Sequence, residues 1–360
     1  MVYIAYGGVS TMSRGVTKRR VQVVGGSTYT VSLPKEWARN VGLEPGSEVS
    51  IEVLPDYSLR IIPPRGSKPR GERCIEIVVT SENRDLAVLE ILSAYLAGYN
   101  VIRVKYGDDV DPGVVHRIVS IAKSKALGLD MLEERANEVV LYSVIDPASF
   151  TIDRILEKMM YTTRFMLEDI GKNFVQVDEN ALRYVVERDD VVDKLFLLAM
   201  RQLNQVLAGE IDPSSIGIDI LPQAMYLVLI AKNVERIADH AALIALNLIK
   251  AKGSEMLNEL LKPFTTSKDV YIEAVKSYWS NDVRHAAKAV KLAHEAKVLE
   301  HEVGKKLANT PSPPELHLVL DSISRIRAYS IDIVESVMNM HKVREALSTK
   351  VAPQAKEEPA

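Results

Sequence analysis

Two pairs of carboxylates stand four residues apart in the second half of this chain. Asp189 and Asp193 form one pair, and Glu235 and Asp239 form the other. Because positions i and i+4 are neighbours on one helix face, each pair presents two carboxylates one turn apart. Carboxylate oxygens are the ligands of hard cations such as magnesium, calcium, manganese and iron. The spacing therefore makes these four residues candidate metal ligands.

The surrounding hydrophobic pattern places both pairs at the buried side of their helices. The first pair follows the apolar line from Leu182 to Phe196, and the second interrupts the apolar row from Val228 to Ile249. Two unit charges about 4 Å apart repel by about 4 kcal/mol at an effective dielectric of 20, and protonation, a cation or a basic side chain relieves that repulsion. The basic residues that could form a surface charge network instead of a metal site are Arg188, Lys194, Lys232 and Arg236. Both interpretations stay open on the residues alone.

No other group of residues predicts catalysis. His240 follows Asp239, but adjacent helix positions point about 100° apart, so we expect this histidine to lie off the carboxylate face. Cys74 is the single cysteine, which excludes an intramolecular disulfide and a cysteine-rich zinc site. No motif supplies a base for a serine or cysteine nucleophile. The sequence therefore predicts a protein that is not an enzyme.

The carboxylates belong to a long helical region. Apolar stripes at helical spacing run through residues 150–345, and one helix extends from Pro222 to Lys252. After Pro263 the pattern restarts, and the three further helices are predicted at Asp269–Trp279, Val283–Leu307 and Leu316–Val343. The pattern predicts two tandem three-helix bundles, at 149–253 and 266–345, followed by a disordered tail at 346–360.

Residues 72–146 alternate between strand and helix patterns. A strand at Cys74–Thr80, a helix at Asn83–Ala97 and a strand at Val101–Tyr106 are followed by a second helix at Val114–Ala126. A hairpin around Asn137 completes a β-α-β-α-β-β order, which predicts a small α/β module with a parallel strand pair. The segment lacks a phosphate-binding glycine loop and is expected to act as a spacer or dimerisation domain.

The N-terminal segment, 14–63, reads as short strands around one short helix. Residues 1–73 carry 11 Lys and Arg against 6 Asp and Glu, although the whole chain has a net charge of −3. A basic segment on an acidic chain favours a polyanionic partner. The candidate DNA-binding residues are Arg14, Lys18, Arg19 and Arg20.

Two resemblances refine this outline. The segments Thr30–Trp37 and Val41–Val49 resemble the AbrB/SpoVT domain, a swapped-hairpin dimer in which basic residues near the N-terminal strands contact DNA. The segments Asp189–Leu195 and Lys232–His240 are similar to the signature motifs of the PhoU family of phosphate-signalling regulators. That family has tandem three-helix bundles, and its acidic motifs bind metal clusters. The fold class expected is thus multidomain and mainly α: an AbrB-like swapped-hairpin β domain, a small α/β module and PhoU-like tandem bundles.

The PhoU resemblance implies a regulator of phosphate uptake with Asp189, Asp193, Glu235 and Asp239 as metal ligands. The metal would be iron, zinc, manganese or magnesium, and the partners would be a phosphate ABC transporter or a sensor kinase. We also expect a homodimer that contacts double-stranded DNA. The alternatives are an AbrB-type transcription regulator whose bundle senses a metal or metabolite, and a metal-free docking scaffold.

The composition agrees with a cytoplasmic protein. Hydrophobic residues make up 47% and charged residues 26% of the chain. No run of about 18 apolar residues predicts a transmembrane helix, and the N-terminus lacks the pattern of a signal peptide.

The second bundle departs from the acidic pattern of the first. Aligned with Glu235–Asp239, it has Ser324–Ala328, which keeps the Arg-Ile pair but neither carboxylate. Aligned with Asp189–Asp193, it has Glu295–Leu299, which keeps one acid of two. A divalent cation needs several oxygen ligands, so we expect metal in the first bundle alone.

Overall fold

A computed structural model describes residues 17–53, 57–64, 72–145, 149–280 and 282–349. The chain divides into two compact units, residues 1–71 and 72–360. Arg14 and the last eleven residues of the predicted tail lie outside the described residues.

The N-terminal unit consists of two hairpins and one short helix. In the first hairpin β1 (Gln22–Val24) pairs with β2 (Thr28–Thr30) in antiparallel register, and Gly25 and Gly26 turn the chain with φ of 64° and 82°. Helix α1 (Lys35–Asn40) follows. In the second hairpin β3 (Ser50–Val53) pairs with β4 (Leu59–Ile62), also antiparallel.

This unit buries none of its described residues within a single chain. Tyr29 is 77% exposed, and Ile51 and Val53 are 61% and 66% exposed. Two-stranded hairpins of three or four residues are marginal in water unless an apolar face is covered. The apolar strand residues therefore need a covering surface that one chain does not supply within this unit.

The α/β module contains one four-stranded sheet. Its elements are β5 (Cys74–Val79), α2 (Ala87–Leu96), β6 (Val101–Tyr106), α3 (Pro112–Lys125), β7 (Leu129–Arg135) and β8 (Glu138–Ser143). The strand order is β5-β6-β8-β7, in which β5 and β6 are parallel and the other pairs are antiparallel. Helix α2 connects the parallel strands, as predicted, and Asn137 takes the positive φ of 60° at the β7–β8 turn.

The predicted start of α2 at Asn83 is wrong by four residues. The Asn83 side chain accepts a hydrogen bond from the Thr80 backbone N–H at 2.8 Å and donates one to the Val78 carbonyl at 2.9 Å. These local hydrogen bonds hold Asn83 in a turn after β5. An asparagine side chain that bonds to nearby backbone groups offers them an alternative to helical hydrogen bonds.

Two three-helix bundles follow, as the periodicity predicts. The first is α4 (Ile152–Lys172), α5 (Glu179–Leu207) and α6 (Gln223–Lys250), and the second is α7 (Leu257–Ser280), α8 (Val283–Asn309) and α9 (Pro314–Thr349). One hydrophobic core runs through both bundles, and α6 packs against α9 across their junction. No described helix is both long and apolar enough to cross a membrane.

Two helix boundaries in the second bundle differ from the prediction. Helix α7 begins at Leu257, twelve residues before the predicted Asp269, and contains Pro263. A proline inside a helix removes one backbone donor, but the flanking Leu260 and Phe264 are buried, and their burial offsets that loss. Helix α9 continues to Thr349, so residues 346–349 of the predicted tail are helical.

Helix α5 fastens the α/β module to the bundle through a buried guanidinium. Arg201 is 2% exposed and donates hydrogen bonds to the carbonyls of Tyr95, Gly98 and Tyr99, the last at 3.0 Å. Tyr95 lies in the last turn of α2, and Gly98 and Tyr99 follow directly after the helix, where its dipole favours a positive charge. Asn204 adds a bond to the Leu96 carbonyl at 3.1 Å.

Replacing Arg201 with Met should lower the free energy of unfolding by about 2–4 kcal/mol, because buried carbonyls lose their donors. Urea denaturation followed by circular dichroism measures this difference. Arg183→Met, at an exposed position of the same helix, is the matched control and should change stability by less than about 0.5 kcal/mol. Equal effects of the two substitutions would contradict the fastening role of Arg201.

Candidate metal centre

Three of the four predicted ligands meet where α5 faces α6. Asp189 and Asp193 of α5 and Asp239 of α6 each offer a carboxylate oxygen, and these oxygens lie within 4.8 Å of one another. In the part of the chain that the structure describes, no other group of three His, Cys, Asp or Glu residues has this geometry. The spacing of Asp189 and Asp193 on α5 and the packing of α5 against α6 together form the cluster.

The fourth predicted ligand, Glu235, has a basic partner. Its two carboxylate oxygens accept hydrogen bonds from Lys232 Nζ at 2.6 and 2.7 Å. Glu235 still acts on the cluster, because its charge helps to raise the pKa of Asp189 and of Asp193. The structure thus separates the predicted set into three clustered carboxylates and one paired neighbour.

Burial and mutual repulsion both favour the protonated forms of the clustered residues. Burial is the largest effect on Asp189, and with the charges of Asp193 and Asp239 it raises the pKa of Asp189 to about 7. Burial also raises the pKa of Asp193 and Asp239, and neighbouring carboxylates add to both shifts. Asp189 Oδ1 is buried without a hydrogen-bond partner among the described residues. A cation at this point would satisfy that oxygen and relieve the repulsion.

The alternative charge network is only partly present. Arg236 lies 3.7 Å from Asp239 and is about half exposed, and Lys232 binds Glu235. Arg188, by contrast, pairs with Asp169 of α4 at 2.6 Å. No ion pair with a described basic residue reaches Asp189 or Asp193.

One cation near the cluster was not predicted. Lys125, the last residue of α3 in the α/β module, exerts a charge effect on Asp193 that opposes the effects of burial and Glu235. The two residues are 68 positions apart, and neither helix pattern indicates that they meet. The packing of α3 on α5 brings the charge of Lys125 within range of Asp193.

His240 lies away from the carboxylates, as expected from its helix position. Its Nδ1 is 3.3 Å from Ser322 Oγ, and its ring lies 5.8 Å from that of Tyr329, both on α9. Burial lowers the pKa of this imidazole. His240 therefore belongs to the packing of α6 on α9.

The second bundle has a different solution at its acidic positions. Glu295 is exposed, and the buried acid of α8 is Glu300. Arg327 of α9 donates from Nε to Glu300 at 2.8 Å, so the protein itself supplies the positive charge.

The candidate DNA-binding residues lie in the other unit. Lys18, Arg19 and Arg20 are exposed just before β1, and Arg14 is outside the described residues.

Comparisons with known proteins agree with both resemblances. Residues 156–248, which span α4 to α6 and hold all four acidic candidates, match the family model of the PhoU domain. Residues 22–69 match the model described as antidote-toxin recognition MazE, bacterial antitoxin. The crystal structure of the phosphate transport system regulatory protein PhoU from Streptococcus pneumoniae is similar at 11% identity and a TM-score of 0.46, covering 53% of this chain and 94% of that one. No curated protein matches the chain.

The segment that matches the PhoU domain lies in the first helical bundle, and the segment that matches the antitoxin model lies within residues 1–71. Both expected resemblances are therefore confirmed.

The stability of metal-free protein should depend on the ionisation of Asp189. Its folded pKa of about 7 is above the ordinary value of 3.8, so the folded state binds the proton more tightly than the unfolded state. Protonation of Asp189 contributes fully to the stability of the folded state below pH 4, and this contribution is lost as the pH rises through about 7. In chelator-treated protein, Asp189→Asn should therefore gain stability over wild type between these pH values.

Thermal unfolding at a series of pH values measures this gain. Glu187→Gln, at an exposed site on the same helix, should track wild type at every pH. A stability difference between Asp189→Asn and wild type that stays constant with pH would rule out the raised pKa.

Proposed function

We propose that this protein is a metal-binding regulator of phosphate uptake that works as a homodimer. The observation that carries the proposal is the cluster of Asp189, Asp193 and Asp239, with oxygens within 4.8 Å and one buried oxygen unpartnered. It lies inside the segment that matches the PhoU domain. The partners proposed from that family are a phosphate ABC transporter or a sensor kinase.

The donor set fits a hard or borderline cation. Three carboxylate oxygens suit manganese, iron or magnesium, and zinc also accepts carboxylate ligands. Glu235 would complete the coordination only by leaving Lys232, because Lys232 now holds both of its oxygens. The metal would neutralise the cluster and hold α5 and α6 together.

Dimerisation is supported by the exposed strands of the N-terminal unit. Val23, Tyr29, Ile51 and Val53 are each more than half exposed. A second copy of the same hairpins would cover these residues, in the manner of the AbrB-like domains that this segment resembles. The N-terminal unit is therefore proposed as the dimerisation domain.

A second candidate function is transcription regulation. The exposed Lys18, Arg19 and Arg20 precede β1, and residues 1–73 have an excess of basic over acidic residues. Basic side chains on one edge of a dimer could contact the phosphates of a DNA duplex. In this case the helical bundle would be the sensor and the N-terminal unit the effector.

Replacing Asp193 and Asp239 together with Asn should abolish stoichiometric metal binding, because one carboxylate cannot hold a divalent cation tightly. Elemental analysis of protein purified without chelator measures the metal content. Glu295→Gln, in the second bundle, should retain the metal content of wild type. Wild-type protein without bound metal, even after incubation with manganese, iron and zinc, would leave the metal-free docking scaffold as the conclusion.

If the basic N-terminal residues contact DNA, affinity should fall steeply with salt. Each neutralised phosphate adds about 0.9 to the slope of log affinity against log salt. Changing Arg14, Lys18, Arg19 and Arg20 to Ala should flatten this slope without dissociating the dimer. Fluorescence anisotropy with a duplex measures the slope, and light scattering measures the dimer. Absence of salt-dependent binding by wild type would reject the DNA contact.

A further inference from the structure

A buried glutamate in the second bundle holds three basic side chains where α7 packs against α8. Glu273 of α7 is 4% exposed. One of its carboxylate oxygens accepts hydrogen bonds from Lys276 Nζ at 2.9 Å and from Lys288 Nζ at 3.1 Å, and the other lies 2.6 Å from His285 Nδ1. Lys276 belongs to α7, whereas His285 and Lys288 belong to α8. One carboxylate thus gathers bases from two helices.

Glu273 is ionised at neutral pH and fixes the positions of these bases. Burial acts to raise the pKa of Glu273, but the hydrogen bonds from His285, Lys276 and Lys288 lower it to about 2. A lysine ammonium has three N–H donors and a histidine ring has two nitrogens, so each base keeps donor capacity that Glu273 does not use. The side chains of Lys276, Lys288 and His285 are 50%, 61% and 33% exposed, so a ligand from solution can reach them.

The cluster carries more positive charge than its acid balances. Two ammonium groups that bond to the same oxygen lie close together and repel each other. None of the three bases forms an ion pair with a second acid in the part of the chain that the structure describes, and the nearby Asp282 pairs with Arg284 at 2.7 Å. The other buried acid of this bundle, Glu300, has one basic partner among the described residues, Arg327. Burial of one carboxylate therefore does not require three bases.

We propose that Lys276, Lys288 and His285 form a binding site for a phosphoryl group, either that of inorganic phosphate or that of a phosphomonoester. Two ammonium groups and one carboxylate leave one positive charge in excess, and protonation of His285 adds another. A phosphoryl group carries about 1.5 to 2 negative charges at pH 7 and three strong acceptor oxygens, so it matches this excess better than a carboxylate does.

The charge around the cluster supports the same ligand class. Residues 273–291 contain four Lys and Arg against two Asp and Glu, although the chain has a net charge of −3. A local basic surplus attracts anions to this surface. A bound phosphoryl group would reduce the repulsion between the two ammonium groups and link α7 to α8. This site is separate from the proposed metal cluster, which lies between α5 and α6.

The test measures the binding of inorganic phosphate and of phenyl phosphate to the full-length protein by titration calorimetry. The protein is treated with chelator, because a bound metal could itself hold phosphate, and the ionic strength is kept constant. Lys288→Gln should weaken binding by about fivefold. Glu273 then keeps Lys276 and His285, so we expect this variant to fold, which circular dichroism checks. Lys305→Gln, at an exposed position further along α8, is the matched control and should bind like wild type.

Thermal unfolding gives a second measurement. A ligand that binds only the folded state stabilises it. Saturating phosphate should therefore raise the unfolding temperature of wild type and of Lys305→Gln, and at the same concentration it should raise that of Lys288→Gln by less.

The outcomes also identify the source of the phosphoryl group. Binding of both probes, weakened by Lys288→Gln and not by Lys305→Gln, supports a site for the phosphoryl group itself. Binding of one probe alone, weakened in the same way, assigns the site to free phosphate or to an ester. Wild type that binds neither probe at millimolar concentration overturns the inference. Equal affinities of wild type and Lys288→Gln, or equal losses in the two variants, also overturn it, because the anion would then bind elsewhere or respond to overall charge.

These results are independent of the proposed function. Elemental analysis of wild type and of Lys288→Gln before chelation reports the metal content of the first bundle. Failure of the phosphoryl site with normal metal content leaves the metal site standing, and absence of metal with normal phosphate binding does the reverse.

Discussion

Repulsion among half-buried carboxylates between α5 and α6 is the constraint on which the rest of the bundle depends. Two unit charges about 4 Å apart cost about 4 kcal/mol at an effective dielectric of 20. The helices stay together because their apolar neighbours, among them Val192 and Val234, are completely buried. Helix α6 is also held from its other side by α9. The packing therefore keeps the carboxylates close, and their repulsion favours the binding of a proton or a cation.

The second bundle shows how the same problem is solved without an ion. Its two buried acids already have basic partners, since Glu300 receives the guanidinium of Arg327 and Glu273 pairs with Lys276 and Lys288. In the first bundle Lys232 pairs with Glu235 and Arg236 with Asp239, while Asp189 Oδ1 has no hydrogen-bond partner among the described residues. A buried carboxylate that is already paired with a basic side chain gains no further stabilisation from a bound cation. The asymmetry of the two bundles thus follows from where each places its arginine and lysine residues.

The sequence predicted those features that depend on spacing along one helix. The i,i+4 pairs placed Asp189 and Asp193 together, and periodicity located six helices. The pairing of Glu235 with Lys232, three residues earlier on α6, was within reach of the same reasoning. The charge effect of Lys125 on Asp193 could not be predicted in this way, because it depends on how the module docks on α5. The continuation of α7 through Pro263 was also missed, since tertiary burial there overrides a local signal.

The N-terminal unit differs from the bundles in what its stability requires. Its strands bury no described residue within one chain, so the hydrophobic effect can stabilise them only after another surface covers them. If that surface is a second copy, folding and association of this unit are one equilibrium that depends on protein concentration. A surface for DNA built from Lys18, Arg19 and Arg20 would then exist only in the dimer. The bundle buries its core within a single chain, so metal binding and DNA binding would respond differently to dilution.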